Sequence, residues 1–392
     1  MRCWPSGAAM ARKPMSPEAA HRRDYRVDLL RGIALIMIFI NHIPGTAWEH
    51  VTSRNFGFSD AAEGFVLMSG IATGLAYGPI FLRSPRPSWT EALRPWRRVL
   101  TLWWVHVLVV LCIVALFALT VQHPAVAVMA EKRNIAPALE NPALFVPGLI
   151  VLGHQFAYAD ILPLYIVLLL AAPALLAAAV RWPRGVMVAS VLVWFAVGLL
   201  RIRMPTWPLD YGWFFNPLAW QVIFVAGLLT GLAMRQGRRW LPFRPWAFWL
   251  AVGFLVLAAV WVQVPVVAAT GGHGLWLLYE YAGAPSVFTS FDKSFAHLPR
   301  LLHILALAYV LSALPALTQI AESPKVAPLI LLGQHALPVF AVSTVLAYGA
   351  QVAKAMAGPS FVLDTVLIAC GLVVLFAIAG WQRGRKPRRM VG

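Results

Sequence analysis

Two pairs of residues at the edges of apolar segments carry the chemistry that this sequence could perform. Asn41 and His42 close the stretch RGIALIMIFINH, residues 31–42. Asp60 and Glu63 open the next apolar stretch, SDAAEGFVLMSGIATGLAYG. An unperturbed imidazole titrates near pH 6.5, so it can accept a proton from a hydroxyl at neutral pH. A neighbouring carboxylate can fix its tautomer and stabilise the imidazolium. Asp60 and Glu63 are i,i+3 neighbours on one helix face, and a short connection returns them to the end of the first segment. The plainer alternative is a histidine that closes a helix and a carboxylate in a structural ion pair.

Other polar residues belong to the same pattern. Asp28, Arg31 and His42 share one face of the first helix, but His42 stands about 21 Å along the axis from Asp28 and cannot touch it. Asp160 and Tyr165 begin DILPLYIVLL, and Asn216 and Gln221 begin FNPLAWQVIF. Asp292 and Lys293 precede a helix on which Arg300 and His303 share a face. His335, in LLGQHALPVF, falls about 15 Å into its segment from the opposite end. Ionisable groups within lipid are costly and face a cavity or a partner. Several segments presenting them at one depth imply a cavity open to one membrane face. Asn216 and Gln221 read equally well as residues that hold helices together, and Asp28 with Arg31 as an orienting ion pair.

The elements that must position these groups are transmembrane helices. The chain has 392 residues, is 60% hydrophobic and 12% charged, with a mean hydropathy of +0.73. Apolar stretches of about 20 residues recur, each long enough for a hydrocarbon core of about 30 Å. The expected fold is an all-α polytopic membrane protein of about ten spans, near 28–45, 60–82, 98–121, 159–180, 185–201, 213–234, 245–269, 300–320, 326–351 and 360–381. Of 32 Lys and Arg residues, 23 fall on one side of this arrangement and 8 on the other, with Arg31 inside the first span. The positive-inside rule then puts both termini in the cytoplasm. Residues 1–26 form a basic cytoplasmic segment, 27–382 the transmembrane domain and 383–392 a basic tail. The first span is expected to be retained as signal and anchor, since residues 1–26 lack an apolar core. The net charge of +17 is spread between spans, which argues against nucleic acid as a partner. Cys3, Cys112 and Cys370 form no CxxC pair, so neither a disulfide framework nor a metal site is expected. The external connections 122–158 and 270–298 are expected to roof the cavity, with NPALFVPGLIVLGHQ re-entrant or interfacial.

RVDLLRGIALIMIFINH followed by FGFSDAAEGFVLMSG resembles the opening of the OpgC-type membrane succinyltransferases, which modify osmoregulated periplasmic glucans. These are relatives of the integral-membrane acyltransferase family 3. The resemblance continues through DILPLYIVLLLAAP, FNPLAWQVIFVAGLLTG, DKSFAHLPRLLHILALAY and LLGQHALPVF. Where that family often shows Asp-Lys-Thr, this chain has Asp292-Lys293-Ser294.

The resemblance implies a multi-pass enzyme of the bacterial inner membrane. It would move a succinyl group from cytoplasmic succinyl-CoA, a substrate rather than a bound cofactor, to a hydroxyl of a periplasmic glucan. His42 would be the base and Glu63 or Asp60 its partner, with an acyl-histidine intermediate as a variant route. Asn41, Asn216 or Gln221 would face the developing oxyanion. Lys293 or Arg300 would meet the succinyl carboxylate, and Arg31 a CoA phosphate. Contact with other glucan-synthesis proteins stays open. Acetyl transfer to another polysaccharide or lipid-linked sugar is the first alternative, and a sugar transporter or flippase the second. Matching halves with broken helices would mark a transporter.

Overall fold

A computed structural model describes residues 24–84, 87–208 and 210–385. Most of the basic N-terminal segment, including Cys3, and most of the basic tail lie outside the described residues. Apolar runs become helices where a polar cap or a proline starts them. Asp24 opens α1 (Tyr25–Asn41) by accepting the Arg26 N–H at 3.0 Å. Asp60 opens α2 (Ala61–Arg83), and α3 (Arg94–Thr120) and the short α4 (Pro142–Ile150) follow. The chain continues through α5 (Ile161–Arg181), α6 (Pro183–Leu200), α7 (Pro217–Arg235) and α8 (Pro245–Gln263). Then come α9 (Pro265–Glu280), α10 (Leu298–Ala313), α11 (Pro315–Glu322), α12 (Ala327–Gln334), α13 (Ala336–Ala357) and α14 (Phe361–Arg385). Proline suits a first helical turn because its missing N–H would have no helical partner there.

No strand occurs among the described residues, and the fold is an all-α membrane bundle. Among the described residues, eight helices are long and apolar enough to cross a membrane, or nine if α10 and α11 count as one bent span. Each expected span overlaps a helix, but three differ in form. The span at 300–320 breaks at Leu314, where Pro315 turns α11 away from α10 by 72°. The span at 326–351 is interrupted at His335, which closes α12 with φ −110° and ψ 35°. His335 therefore stands at a helix junction rather than inside a continuous span. Residues 265–280, read partly as a connection, form α9 after Pro265 breaks the chain from α8.

Small residues set the closest helix approaches. Gly70 and Gly74 of α2 face Gly227 and Gly231 of α7, so each backbone rests against the other. A Cβ added at Gly227 would land on the Leu67 carbonyl oxygen. Gly32 of α1 and Gly333 of α12 form a second seam, where added Cβ atoms would meet the carbonyls of Leu329 and Asp28. Alanine normally favours a helix over glycine by about 1 kcal/mol. Here the obstacle is backbone, which cannot rotate away, and overpacking costs about 1–3 kcal/mol. Gly227→Ala should therefore lower the thermal midpoint of the protein in detergent, and a raised midpoint would contradict this packing.

The ends of the bundle follow from paired contacts. Trp48 Nε1 donates to Thr365 Oγ1 at 3.0 Å, and Phe39 packs against Gly371. So α14 runs back along α1, and residues 24 and 385 lie at one end. Asn41, His42 and Asp60 lie at the other.

Candidate active site

The start of α2 is built by a capping box. Asp60 accepts the Ala62 N–H at 2.8 Å, and Glu63 Oε2 accepts the Asp60 N–H at 3.0 Å. The free edges of both carboxylates meet cations from the 290–300 segment. Lys293 Nζ lies 2.5 Å from Asp60 Oδ2. Arg300 Nη2 lies 2.5 Å from Glu63 Oε1 and 3.5 Å from Asp60 Oδ2, while its Nε donates to Glu63 at 2.7 Å. The Glu63 side chain is fully buried, and a buried carboxylate is tolerated only with such partners. This network fixes the head of α2 to the head of α10.

Beside it opens a cavity of about 690 Å³, whose wall includes Asn41, His42, Asp60, Asp160, Lys293 and Arg300. On α1 it extends from His42 only to Ile38, one turn deeper. His42 is half-buried. Its ring packs on Tyr158 at 4.9 Å between centroids. No protein hydrogen bond to either ring nitrogen is present among the described residues. Its backbone carbonyl accepts from Gln351 Nε2 at 2.6 Å. Asn41 lines the same cavity; its Oδ1 accepts the Thr52 hydroxyl at 2.8 Å, and its amide NH₂ has no protein partner among the described residues.

The roof comes from the 122–158 connection. The short helix Pro124–Lys132 ends before Asn134, which adopts φ 60°. The chain then doubles back, and Ala157 N–H donates to the Arg133 carbonyl at 3.2 Å. His154 Nε2 pairs with the Asn134 carbonyl at 2.8 Å, and Tyr348 of α13 donates to the Ala157 carbonyl. The Tyr211 hydroxyl donates to the Gln155 carbonyl at 2.9 Å. Burial pushes the Tyr211 phenol up from its ordinary value. Arg133, Asn134, Gln155 and Tyr158 thereby reach the cavity wall, together with Arg203, Tyr211 and Trp213 from the 201–216 connection.

The OpgC protein family model matches residues 23–386. This chain belongs to the OpgC family. Comparisons with curated proteins and with solved structures gave no match. Membership gives this OpgC protein a glucan-related acyltransferase role.

The residues expected to act in this chain separate into two groups. His42, Asn41, Asp60, Asp160, Lys293 and Arg300 share the cavity wall, and Glu63 lies directly behind Arg300. The expected contact between His42 and a carboxylate is not made, because Asp60 and Glu63 turn to Lys293 and Arg300. Asn216 and Gln221 lie off the wall. Asn216 donates to the Ile202 carbonyl at 2.7 Å, and Gln221 exchanges bonds with Ser190 at 2.6 and 2.7 Å. They hold α7 to its neighbours. His303 pairs with the Ser59 hydroxyl at 2.7 Å. Asp292 Oδ1 accepts the Ser294 N–H at 2.8 Å and shapes its own turn. Tyr165 packs against Phe224 at 6.4 Å. Arg31 lies 3.7 Å from Asp28 and donates to the Met68 carbonyl at 3.1 Å, tying α1 to α2 well away from the cavity. His335 also stands apart from the cavity, at its junction.

Sequence reasoning missed Arg133, Tyr158, Arg203 and Tyr211 as wall residues. The external loops were expected to roof a site, but no local motif marks which side chains turn inward. The left-handed backbone at Asn134 and Tyr158, φ 60° and 72°, does this. Of the two, only Asn134 is a residue type that favours that region. The described residues contain no cluster of His, Cys, Asp or Glu able to hold a metal ion.

Proposed function

We propose that this protein moves a succinyl group from cytoplasmic succinyl-CoA to a hydroxyl of a periplasmic glucan, in the bacterial inner membrane, with His42 as general base. The observation that carries this reading is an imidazole with no protein hydrogen bond among the described residues, on the wall of a polar and aromatic cavity, in a chain of the OpgC family. The end of the bundle bearing residues 24 and 385 would face the cytoplasm, in keeping with its arginine-rich loops.

The chemistry follows from the groups on the wall. The glucan oxygen attacks the thioester carbonyl while His42 takes its proton. A C–O bond forms, the C–S bond breaks, and His42 returns the proton to the leaving thiolate. The hydroxyl is the poor partner in this exchange, so a positioned base contributes most, typically 10²–10⁴-fold. Asn41 is the one of the three candidate amides that lines the cavity, and its NH₂ group would meet the developing oxyanion. Lys293 has three donors and spends one on Asp60, so two remain to donate into the cavity. Glu63 and Asp60 act indirectly by fixing Lys293 and Arg300. The aromatic rings of Tyr158, Tyr211 and Trp213 provide faces for sugar rings. Arg31 would support α1 rather than a CoA phosphate.

Purified protein in liposomes, given labelled succinyl-CoA on one side and glucans on the other, tests the reading. Glucan should gain label together with a carboxyl titrating near pH 4. Label transferred only from acetyl-CoA, or glucan crossing the membrane unmodified, would overturn it.

A further inference from the structure

The cations of the cavity differ in one respect. Lys293 and Arg300 are matched by Asp60 and Glu63, and Arg54 is matched by Glu49 at 3.0 Å. Arg133 and Arg203 have no carboxylate within ion-pair distance among the described residues. Arg203 is exposed, with its guanidinium 5.7 Å from the Phe295 ring. Arg133 is half-buried and reaches the wall close to His42.

Its orientation is fixed on two sides. Nε donates to Gln351 Oε1 at 3.2 Å, and the guanidinium carbon lies 4.5 Å from the Tyr158 ring centroid. The same tyrosine packs on His42 at 4.9 Å, and the same Gln351 bonds the His42 carbonyl at 2.6 Å. One tyrosine and one glutamine therefore set Arg133 against His42. The two ring distances, 4.5 and 4.9 Å, limit the gap between guanidinium and imidazole to about 9.4 Å. The terminal Nη pair carries no hydrogen bond to the protein among the described residues. That planar fork matches a carboxylate, which it can bind in bidentate fashion.

An extended four-carbon diacyl chain places its carbonyl carbons about 4 Å apart, from bond lengths near 1.5 Å. With polar contacts of about 3 Å at each end the extended span is about 10 Å, so a chain bent at its central bond or at its contacts fits within that limit. We propose that Arg133 receives the free carboxylate of the acyl group while the reacting carbonyl lies at His42, so that Arg133 selects a dicarboxylic acyl chain over a neutral one. This rests on the succinyl reading above, and it moves carboxylate recognition from Lys293 and Arg300 to Arg133.

Transfer from succinyl-CoA and from butyryl-CoA, whose acyl chain is of the same length but uncharged, tests the assignment. Arg133→Gln should lower kcat/KM for succinyl-CoA by roughly 10- to 100-fold, the effect of one charged hydrogen-bonded pair. The butyryl-CoA value should change little. Arg133→Lys keeps the charge without the fork and should fall between wild type and Arg133→Gln. Equal losses for both donors in either variant would overturn the assignment and leave Arg133 a support for the roof. Binding gives a readout independent of transfer. Monomethyl succinate should bind wild-type protein more tightly than methyl butyrate, and the Arg133 variants should lose that difference. If the wild type transfers neither acyl group yet shows Arg133-dependent binding, the reaction is wrong and the carboxylate site stands. If wild type and variants bind the two esters alike, the site is wrong whatever the reaction.

Discussion

His42→Ala is expected to lower succinyl transfer by 10²- to 10⁴-fold while the protein still inserts and folds. Two magnitudes separate these outcomes. Loss of a general base removes that factor from the rate. The described side-chain contact of His42 is its packing on Tyr158 at 4.9 Å, and one ring pair contributes about 1 kcal/mol. The folded population should therefore survive a change that removes the chemistry. The imidazole limb of the pH–rate profile should vanish with it. A folded variant that keeps its rate would remove His42 from the mechanism.

Glu63→Gln is expected to act on stability first. Its carboxylate is fully buried and lies 2.5 Å from Arg300 Nη2. Removing one member of a buried pair costs about 3–5 kcal/mol, because the other charge stays buried without its full complement. The helix cap itself should persist, since a glutamine carbonyl can still accept the Asp60 N–H. The substitution thus isolates the ion pair from the cap. Unfolding in detergent should show the loss, and Glu63→Leu combined with Arg300→Met should recover part of it. An unchanged midpoint with a large fall in kcat would return Glu63 to the role of direct partner to His42.

The bundle was legible from the sequence because lipid leaves few ways to satisfy backbone polar groups. Long apolar runs with basic loops gave helices close to their observed places. The four-residue spacing of Gly70 and Gly74 is one that admits close helix packing, although its partners Gly227 and Gly231 lie far along the chain. The interruption at His335 is marked by Pro338, which has no N–H to give the Gln334 carbonyl one turn back, but the apolar residues on either side read as one continuous span. Within the site, residue type and depth brought His42, Asn41, Asp60, Asp160, Lys293 and Arg300 together. What depth could not show was pairing. Four charged groups near one level allow several matches, and the capping box decides between them by turning Glu63 toward Asp60 N–H and Arg300 rather than toward the imidazole. Arg133 was hidden for a different reason: its place depends on a reversal at Asn134 and a ring contributed 25 residues later.

The seam between Gly32 and Gly333 bears on how a long donor could reach the imidazole. There the carbonyl of each helix occupies the room that a side chain on the other would need. A pantetheine chain cannot be threaded through backbone packed so closely. On the proposed reading, a thioester arriving from the side of residues 24 and 385 would have to pass by another flank of α1, so bulky side chains on that flank, rather than a wider seam, would cut the enzyme off from its fuel.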